Sequence, residues 1–300
     1  MSTPHSIVSG GTGLVGRFIV EGLLAAGHRV TVLGRNAPPE GLFSGAVAFA
    51  PMTLEPTSIS TALFEGADFF VHAAFDHLPG RYRGGEGDDA AGFRRRNLDG
   101  SIAMFRAARA AGVARTVFLS TRAVYGPRAP GLMLDETDAC RPDTLYGQVK
   151  LACEEALSQL SGEGFTGVSL RVTGVYGAAG SGRSHKWAGL FEDYLSGREI
   201  APRVATEVHG EDVGSAVRLM LTLPAAKLVG GVFNVSDLLL DRHDLLALVA
   251  QETGCRNPLP RAADRSAVNV MKTDHLRALG WTPAGMALLR RTVPELLGRR

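Results

Sequence analysis

Two residues of the 300-residue chain have types and spacing suited to moving a proton: Tyr146 and Lys150 stand four apart in Tyr146-Gly147-Gln148-Val149-Lys150. Residues four apart share one face of a helix, so the ammonium can sit beside the phenol. A phenol titrates near pH 10 and is a poor base at neutral pH, but a neighbouring cation favours its phenolate. Such a pair can act as a general acid/base. The same spacing also describes a surface pair on an amphipathic helix, and the surrounding motifs must decide between the two.

The strongest of those motifs is near the N-terminus. Gly11-Thr12-Gly13-Leu14-Val15-Gly16 is a GxGxxG, and Gly10 in front also makes it a GxxGxxG. It lies between an apolar run at 6–9 that reads as a buried strand and a helical stretch at 14–26 closed by Gly27. In that context the glycines permit a tight turn and let backbone approach a pyrophosphate, while the helix N-terminus offers N–H groups to the anion. An acid usually follows the second strand and bonds the adenosine ribose. Here the strand ends Val32-Leu33-Gly34-Arg35-Asn36. Gly34 leaves room and Arg35 supplies a planar cation for a 2′-phosphate, so NADP is favoured, with NAD as the alternative. An oxidised nicotinamide ring would further favour the Tyr146 phenolate.

The elements that must position these groups follow from the pattern of apolar runs. Strand-like runs at 29–33, 47–50, 69–72, 116–120 and 167–171 alternate with helical stretches at 57–64, 97–111 and 143–160. This alternation predicts an α/β fold, a doubly wound parallel Rossmann sheet covered on both faces. Beyond Val172 the glycines concentrate in 174–189, a long loop before a helix near 187–195. Further helices are expected at 211–223 and at 241–252, the latter opened by an Asp241 cap, with a strand at 232–235. Residues 1–172 are expected to form the dinucleotide-binding domain and 173–300 most of a smaller substrate-binding subdomain, with a segment near 204–240 returning to the first. The Gly-, Arg- and Asp-rich stretch 79–89 reads as a mobile loop.

Composition narrows the function. Thirty-two Lys and Arg against thirty Asp and Glu provide no basic field for nucleic acid or an anionic membrane. The longest apolar runs, such as 245–250, fall far short of the roughly 20 residues of a membrane span. With the first strand expected at about Ser6, no signal peptide is expected. Three scattered cysteines, Cys140, Cys153 and Cys255, suit a reducing compartment, so a cytoplasmic enzyme with no metal is expected.

A set of motifs in fixed order resembles the extended short-chain dehydrogenases/reductases, the NAD-dependent epimerase/dehydratase family, over nearly the whole chain. It runs from Gly10–Gly16 through Val71-His72-Ala73-Ala74, Asn97-Leu98-Asp99-Gly100 and Leu119-Ser120-Thr121-Arg122-Ala123-Val124-Tyr125-Gly126. It continues with Tyr146 to Lys150, Leu170-Arg171 to Val175-Tyr176-Gly177, and Val208-His209-Gly210-Glu211-Asp212-Val213. The resemblance implies that Thr121 polarises the substrate oxygen, Tyr146 is the acid/base, and Lys150 also bonds the nicotinamide ribose. It implies cofactor contacts from Gly10, Gly11, Thr12, Gly13, Leu14, Val15 and Gly16, from Arg35, Met52, His72, Ala73 and Ala74, and from Asn97, Ser120 and Val172. His72 is given a minor role beside the cofactor, and His209 reads as a core histidine. Tyr125 matches a structural position. A homodimer is also implied, its helices near 97–111 and 143–160 pairing across a two-fold axis; the alanines of the first helix allow close approach.

Departures from the family bear on the substrate. An Asp that reaches adenine is replaced around Met52, which is left with apolar contact. Gly174 stands where an Asn would hold a sugar diphosphate, and Ala205 where an Arg would hold the nucleotide, with Arg203 displaced by two positions. A diphosphate therefore loses charge-assisted anchoring, although Arg183, His185 and Lys186 remain as substitutes. Thr121 is followed by Arg122 and Ala123 rather than the Asp and Glu of the 4,6-dehydratases. The expected activity is NAD(P)-dependent hydride transfer at a secondary alcohol or ketone of a sugar-like small polar substrate. The alternatives are a nucleotide-sugar 4-epimerase and, in another class, a non-catalytic NAD(P)-binding redox sensor. Sequence does not separate epimerisation from net oxidation or reduction.

Overall fold

The computed structural model describes residues 3–78, 84–180, 182–228 and 230–299. Its first unit is β1 (His5–Ser9), α1 (Leu14–Ala25) and β2 (Arg29–Gly34), followed by β3 (Ala48–Pro51) and β4 (Phe69–His72). Next come α2 (Ala90–Arg94), α3 (Gly100–Ala110), β5 (Arg115–Thr121), α4 (Leu145–Leu160) and β6 (Thr166–Val172). Beyond these lie β7 (Gly174–Tyr176), α5 (Ala188–Leu195), β8 (Val204–His209), α6 (Gly210–Thr222), β9 (Val232–Val235) and β10 (Leu238–Asp241). Helices α7 (Arg242–Thr253), α8 (Asp274–Ala278) and α9 (Gly285–Leu296) complete the chain.

Seven strands form one sheet in the order β3-β2-β1-β4-β5-β6-β9, every pairing parallel. All five residues of β1 are buried, as a strand covered on both faces requires. The strand order reverses between β1 and β4, and in such a sheet the ligand crevice opens there, outside the carboxyl ends of the strands. One face is packed by α1 and α6 around Val8, Ile19, Val20, Val213 and Val217. The other is packed by α3 and α4 around Phe70, Phe105, Phe118 and Val149. A smaller sheet, β10-β8-β7, builds a separate core of Tyr176, Trp187, Phe191, Leu246 and Leu289 with α5, α7 and α9. The chain thus returns to the large sheet through α6 and β9 after visiting the small one at β8.

Two expected elements differ. The helix at 57–64 is replaced by two 3-10 turns, Pro56–Ser58 and Thr61–Phe64, because Ile59 between them is extended and Phe64 is their one buried residue. The helix expected to begin at 97 starts seven residues earlier, where Asp89 caps α2 by accepting from the Gly92 N–H at 2.8 Å. Between α2 and α3 the backbone makes a π-helical turn, Arg95–Asp99. That extra residue slips the apolar spacing, with buried Phe93 five residues before Leu98, and hides the continuity from a 3.6-residue pattern. Of the stretch expected to be a mobile loop, 79–83 lies outside the described residues.

Candidate active site

The phosphate loop is closed by contacts that only glycine permits. Gly10 has φ +70°, and a Cβ on it would lie 2.6 Å from the Ala74 nitrogen. A Cβ on Gly16 would lie 2.1 Å from the Gly10 carbonyl oxygen. The loop is therefore pressed against the segment leaving β4, where the Ala73 N–H donates to the Ser9 carbonyl at 3.1 Å. Helix α1 begins with no side chain capping its N–H groups and no acid in its first turn. Helix α7, by contrast, is capped by Asp241, which accepts from the His243 N–H at 2.9 Å. An uncapped N-terminus beneath a glycine cradle is an arrangement that can receive an anion. Thr12, Leu14 and Val15 are half-buried around it and Gly13 is exposed.

Arg35 leaves β2 with its side chain 75% exposed and its guanidinium 3.5 Å from Asp76. Asp76 is held more firmly by Arg96, at 2.6 Å. Met52 donates its N–H to the Gly34 carbonyl at 2.8 Å, and its side chain is packed into the core with Leu33 and Leu54.

Tyr146 and Lys150 occupy the first turns of α4, whose N-cap Thr144 accepts from the Gly147 N–H at 3.2 Å. Both side chains meet Phe75. The Tyr146 ring is edge-on to it at 5.1 Å, and the Lys150 ammonium lies 4.6 Å from its centroid and 4.6 Å from that of Phe118. The same ammonium donates to the Leu119 carbonyl of β5 at 2.6 Å. Burial pulls the Lys150 pKa down to about 8, against the pull of Cys153 and Glu154. Thr121, two residues beyond Leu119, ends β5 and accepts from the Ala123 N–H at 3.2 Å. Val172 pairs with Thr121 in register. Thus β5 brings Thr121 and Lys150 to one carboxyl edge of the sheet, and Phe75 links Lys150 to Tyr146.

Three expected cofactor side chains are committed elsewhere. The His72 ring is fully buried between Phe70 and Phe118, with Nδ1 at 2.6 Å from Ser9 Oγ and Nε2 at 2.8 Å from Ser101 Oγ. Both of its nitrogens are thus spent inside the core, and burial pushes its pKa down to about 3. Asn97 turns its amide onto the Asp76 backbone. Ser120 donates to Glu154, whose carboxylate is gripped by Arg171 at 2.8 Å; the Arg171 guanidinium lies 4.8 Å over the Tyr125 ring. Tyr125 donates to Asn234 at 2.7 Å, and burial pushes its pKa up to about 12. His209 caps α6, its Nδ1 accepting from the Glu211 N–H at 3.1 Å. Of the proposed substitutes for the missing diphosphate contacts, Lys186 pairs with buried Glu207 at 2.5 Å, and His185 packs on Phe191. A Cβ on Gly174 would lie 2.8 Å from that Glu207 carboxylate, so the ion pair fills the space an Asn would need.

The sequence reading did not single out Phe75 or Asp76. Their signal was position alone, directly after Ala73-Ala74 at the end of a strand beside the phosphate loop.

The model of the NAD dependent epimerase/dehydratase family matches residues 6–236. The chain belongs to that family. It is 33% identical over 192 residues to the dTDP-6-deoxy-L-talose 4-dehydrogenase (NAD(P)(+)) of Kitasatospora kifunensis, covering 61% of this chain and 58% of that protein. It is 32% identical over 178 residues to the 4-hydroxy-2-methyl-3-oxo-4-farnesyl-3,4-dihydroquinoline-1-oxide ketoreductase of Stigmatella aurantiaca, covering 58% and 51%. The chain thus matches little more than half the length of these curated relatives. The solved UDP-glucose 4-epimerase of Thermus thermophilus in complex with NAD is similar at TM-score 0.76 and 27% identity, over 98% of this chain and 99% of that one. The UDP-glucose 4-epimerase of Thermotoga maritima, with UDP-glucose, shares the fold at TM-score 0.80 and 22% identity over 98% of each chain. The glycine cradle and the uncapped α1 fit the dinucleotide of the family's name. Among the described residues no helix is long and apolar enough to cross a membrane.

Proposed function

We propose that this member of the family is an enzyme that moves a hydride between NAD(P) and a secondary alcohol or ketone of a sugar-like small polar substrate. The observation that carries the reading is the Lys150 ammonium, buried on the Leu119 carbonyl and sharing Phe75 with Tyr146 at the strand ends beside the glycine cradle. In this reading Tyr146 gives and takes the hydroxyl proton, Thr121 donates to the substrate oxygen, and Lys150 stabilises the phenolate and holds the cofactor ribose. Bound NAD(P) supplies or accepts the hydride. Arg35 makes NADP the preferred form. Residues 1–172 with α6 and β9 form the dinucleotide-binding unit, most of 173–300 binds substrate, and the enzyme works in the cytoplasm as a homodimer. The test is a screen of polar alcohols, ketones and sugars for nicotinamide oxidation or reduction, repeated with Tyr146→Phe. Loss of most turnover with unchanged dinucleotide affinity is expected; near-full activity in the variant would move the acid/base elsewhere.

A nucleotide-sugar 4-epimerase is favoured by one feature. A cavity of about 170 Å³ is lined by Lys186, Arg203 and Arg242 with Glu207 as its one acid, which Lys186 already neutralises. Arg203 lies near enough to Arg242 to lower its pKa, in addition to the larger effect of burial. Neither Arg203 nor Arg242 makes a close ion pair with an acid among the described residues, and two such guanidiniums suit an anionic handle on the substrate. Titration with UDP and dTDP decides: low-micromolar binding that is lost in Arg203→Ala supports the epimerase, and no binding leaves the diphosphate-free substrate.

A further inference from the structure

We propose that Arg183, on the loop between β7 and α5, is a ligand for the phosphates of the dinucleotide; this rests on the reading of Gly10–Gly16 as the NAD(P) site. The described parts of that loop, residues 177–180 and 182–187, lie like a strap against the start of α1 and the glycine loop. Gly177, Gly180 and Gly182 have φ of +136°, +93° and +72°, and they turn the chain where other residues would be strained. Among the described residues, Gly177 lies close against Phe18 of α1, where a Cβ would be 2.5 Å from its ring, and three further contacts fasten the loop to the large sheet's side of the cleft. Arg17, in the first turns of α1, donates through Nη2 to the Ala178 carbonyl at 2.6 Å. Gly180 lies against Leu42 and Arg17, where a Cβ would be 3.1 Å from Leu42 Cδ1 and 3.4 Å from Arg17 Cδ. Arg183 donates through Nη1 to the carbonyl of Thr12, inside the glycine loop itself.

The third contact is the informative one. A guanidinium has five N–H donors in a rigid fork, and the Thr12 carbonyl engages one nitrogen. No acid pairs with Arg183 among the described residues. The rest of the fork is thus held at the rim of the cradle where a pyrophosphate would rest on the N-terminus of α1. Charge-assisted, forked contacts to phosphate are what arginine makes best. Arg17 is the positioning residue: its guanidinium, 4.4 Å over the Phe18 ring, is turned to the strap and fixes where Arg183 can reach. The cofactor would then be held from both units at once, by main-chain N–H groups of the large sheet and by a cation from the substrate side.

Calorimetric titration of the full chain with NADP, NAD, ADP and adenosine tests this, in wild type, Arg183→Ala and Arg183→Lys. Loss of one charge-assisted contact should weaken NADP, NAD and ADP each by about tenfold in Arg183→Ala. Their affinity should also become less sensitive to salt. Adenosine, which has no phosphate, should bind as before, and the melting temperature of the chain alone should fall only by the little that one exposed hydrogen bond is worth. Arg183→Lys should recover part of the loss, having the charge without the fork. Unchanged ADP and dinucleotide affinity in Arg183→Ala would overturn the assignment while leaving the NAD(P) site intact. An equal loss for adenosine would make the strap a purely structural clamp and overturn it as well. Failure of the wild type to bind any dinucleotide would overturn both this assignment and the cofactor site it rests on.

Discussion

Asn97 holds both ends of one backbone unit: its Oδ1 accepts from the Asp76 N–H at 2.7 Å, and its Nδ2 donates to the Asp76 carbonyl at 2.7 Å. A third bond, from Nδ2 to the Phe93 carbonyl at 3.0 Å, ties the same amide to its own helix. Because Asp76 follows Phe75, this grip fixes the aromatic ring that touches both Tyr146 and Lys150. The π-helical turn is what places Asn97 inward, 1% exposed, at that point.

Asn97→Ala should therefore act on stability and on chemistry together. Leaving buried partners unmade costs about 1–3 kcal/mol. Urea unfolding should show a loss of about 2 kcal/mol, and turnover should fall more than dinucleotide affinity as Phe75 loosens. A stability change under about 0.5 kcal/mol, the range of an indifferent surface substitution, would mean the clamp does not hold the loop.

The alternation of strands and helices, the phosphate loop and the Asp241 cap were legible because each is a local pattern. What stayed hidden depends on partners distant in sequence. Nothing in the spacing around His72 says that Ser9 and Ser101 close on its ring, or that Glu154 takes the Ser120 hydroxyl. Phe75 had no periodicity to mark it, since its role arises only when α4 is laid beside the end of β4. The π-helical turn concealed α2 by shifting the apolar phase by one residue.

His72 makes the fold sensitive to acid. Its folded pKa is about 3 against 6.5 for the ordinary imidazole, so the unfolded chain takes up a proton first as pH falls below about 6.5. Its contribution to stability is complete above that pH and is lost progressively toward pH 3, by about 1.4 kcal/mol per unit. His72→Gln should show a shallower fall of unfolding free energy between pH 6 and about 4. His209, lowered to about 4, titrates in both proteins and cancels in the comparison. Parallel curves for the two proteins would refute the assignment.

Arg35 should set the choice of cofactor. Its link to Asp76 is long and solvent-exposed, so little is lost when the guanidinium turns to a 2′-phosphate. Arg35→Ala should weaken NADP by about tenfold and leave NAD unchanged. Tighter NAD than NADP in the wild type, or a variant with the same preference, would remove the argument.

Helices α3 and α4 pack side by side on one face of the sheet; of the α3 alanines expected to face a partner, Ala103, Ala107, Ala108 and Ala110, the second and third are buried in the chain's own core, and Ala103 and Ala110 are left at positions that are not buried. A second copy placed against them would complete the four-helix bundle that the proposed homodimer requires. Light scattering at micromolar concentration should report twice the 31.7 kDa chain mass, falling to the single value in Ala103→Arg. A monomer in the wild type would rule the bundle out.

Lys150 should trade stability for chemistry. Its folded pKa is about 8 against 10.5 for an ordinary lysine, so below pH 8 both states carry the proton and the folded state bears the full cost of the buried charge. That cost is on the order of 3 kcal/mol, and the bond to the Leu119 carbonyl with the two ring contacts offsets part of what its removal would gain. Lys150→Met, similar in length and without charge, should therefore be about 1 kcal/mol more stable at pH 7. The difference should shrink as pH rises from about 8 toward 10.5, where the unfolded wild type still holds a proton that the folded one has released, so wild-type stability climbs. Turnover should fall by about 10² or more, and dinucleotide affinity should fall with it, whereas Tyr146→Phe should spare affinity. If Lys150→Met is less stable at pH 7 and no less active, the ammonium is a structural strut of β5 and α4, and Tyr146 would have to find its proton-transfer partner elsewhere.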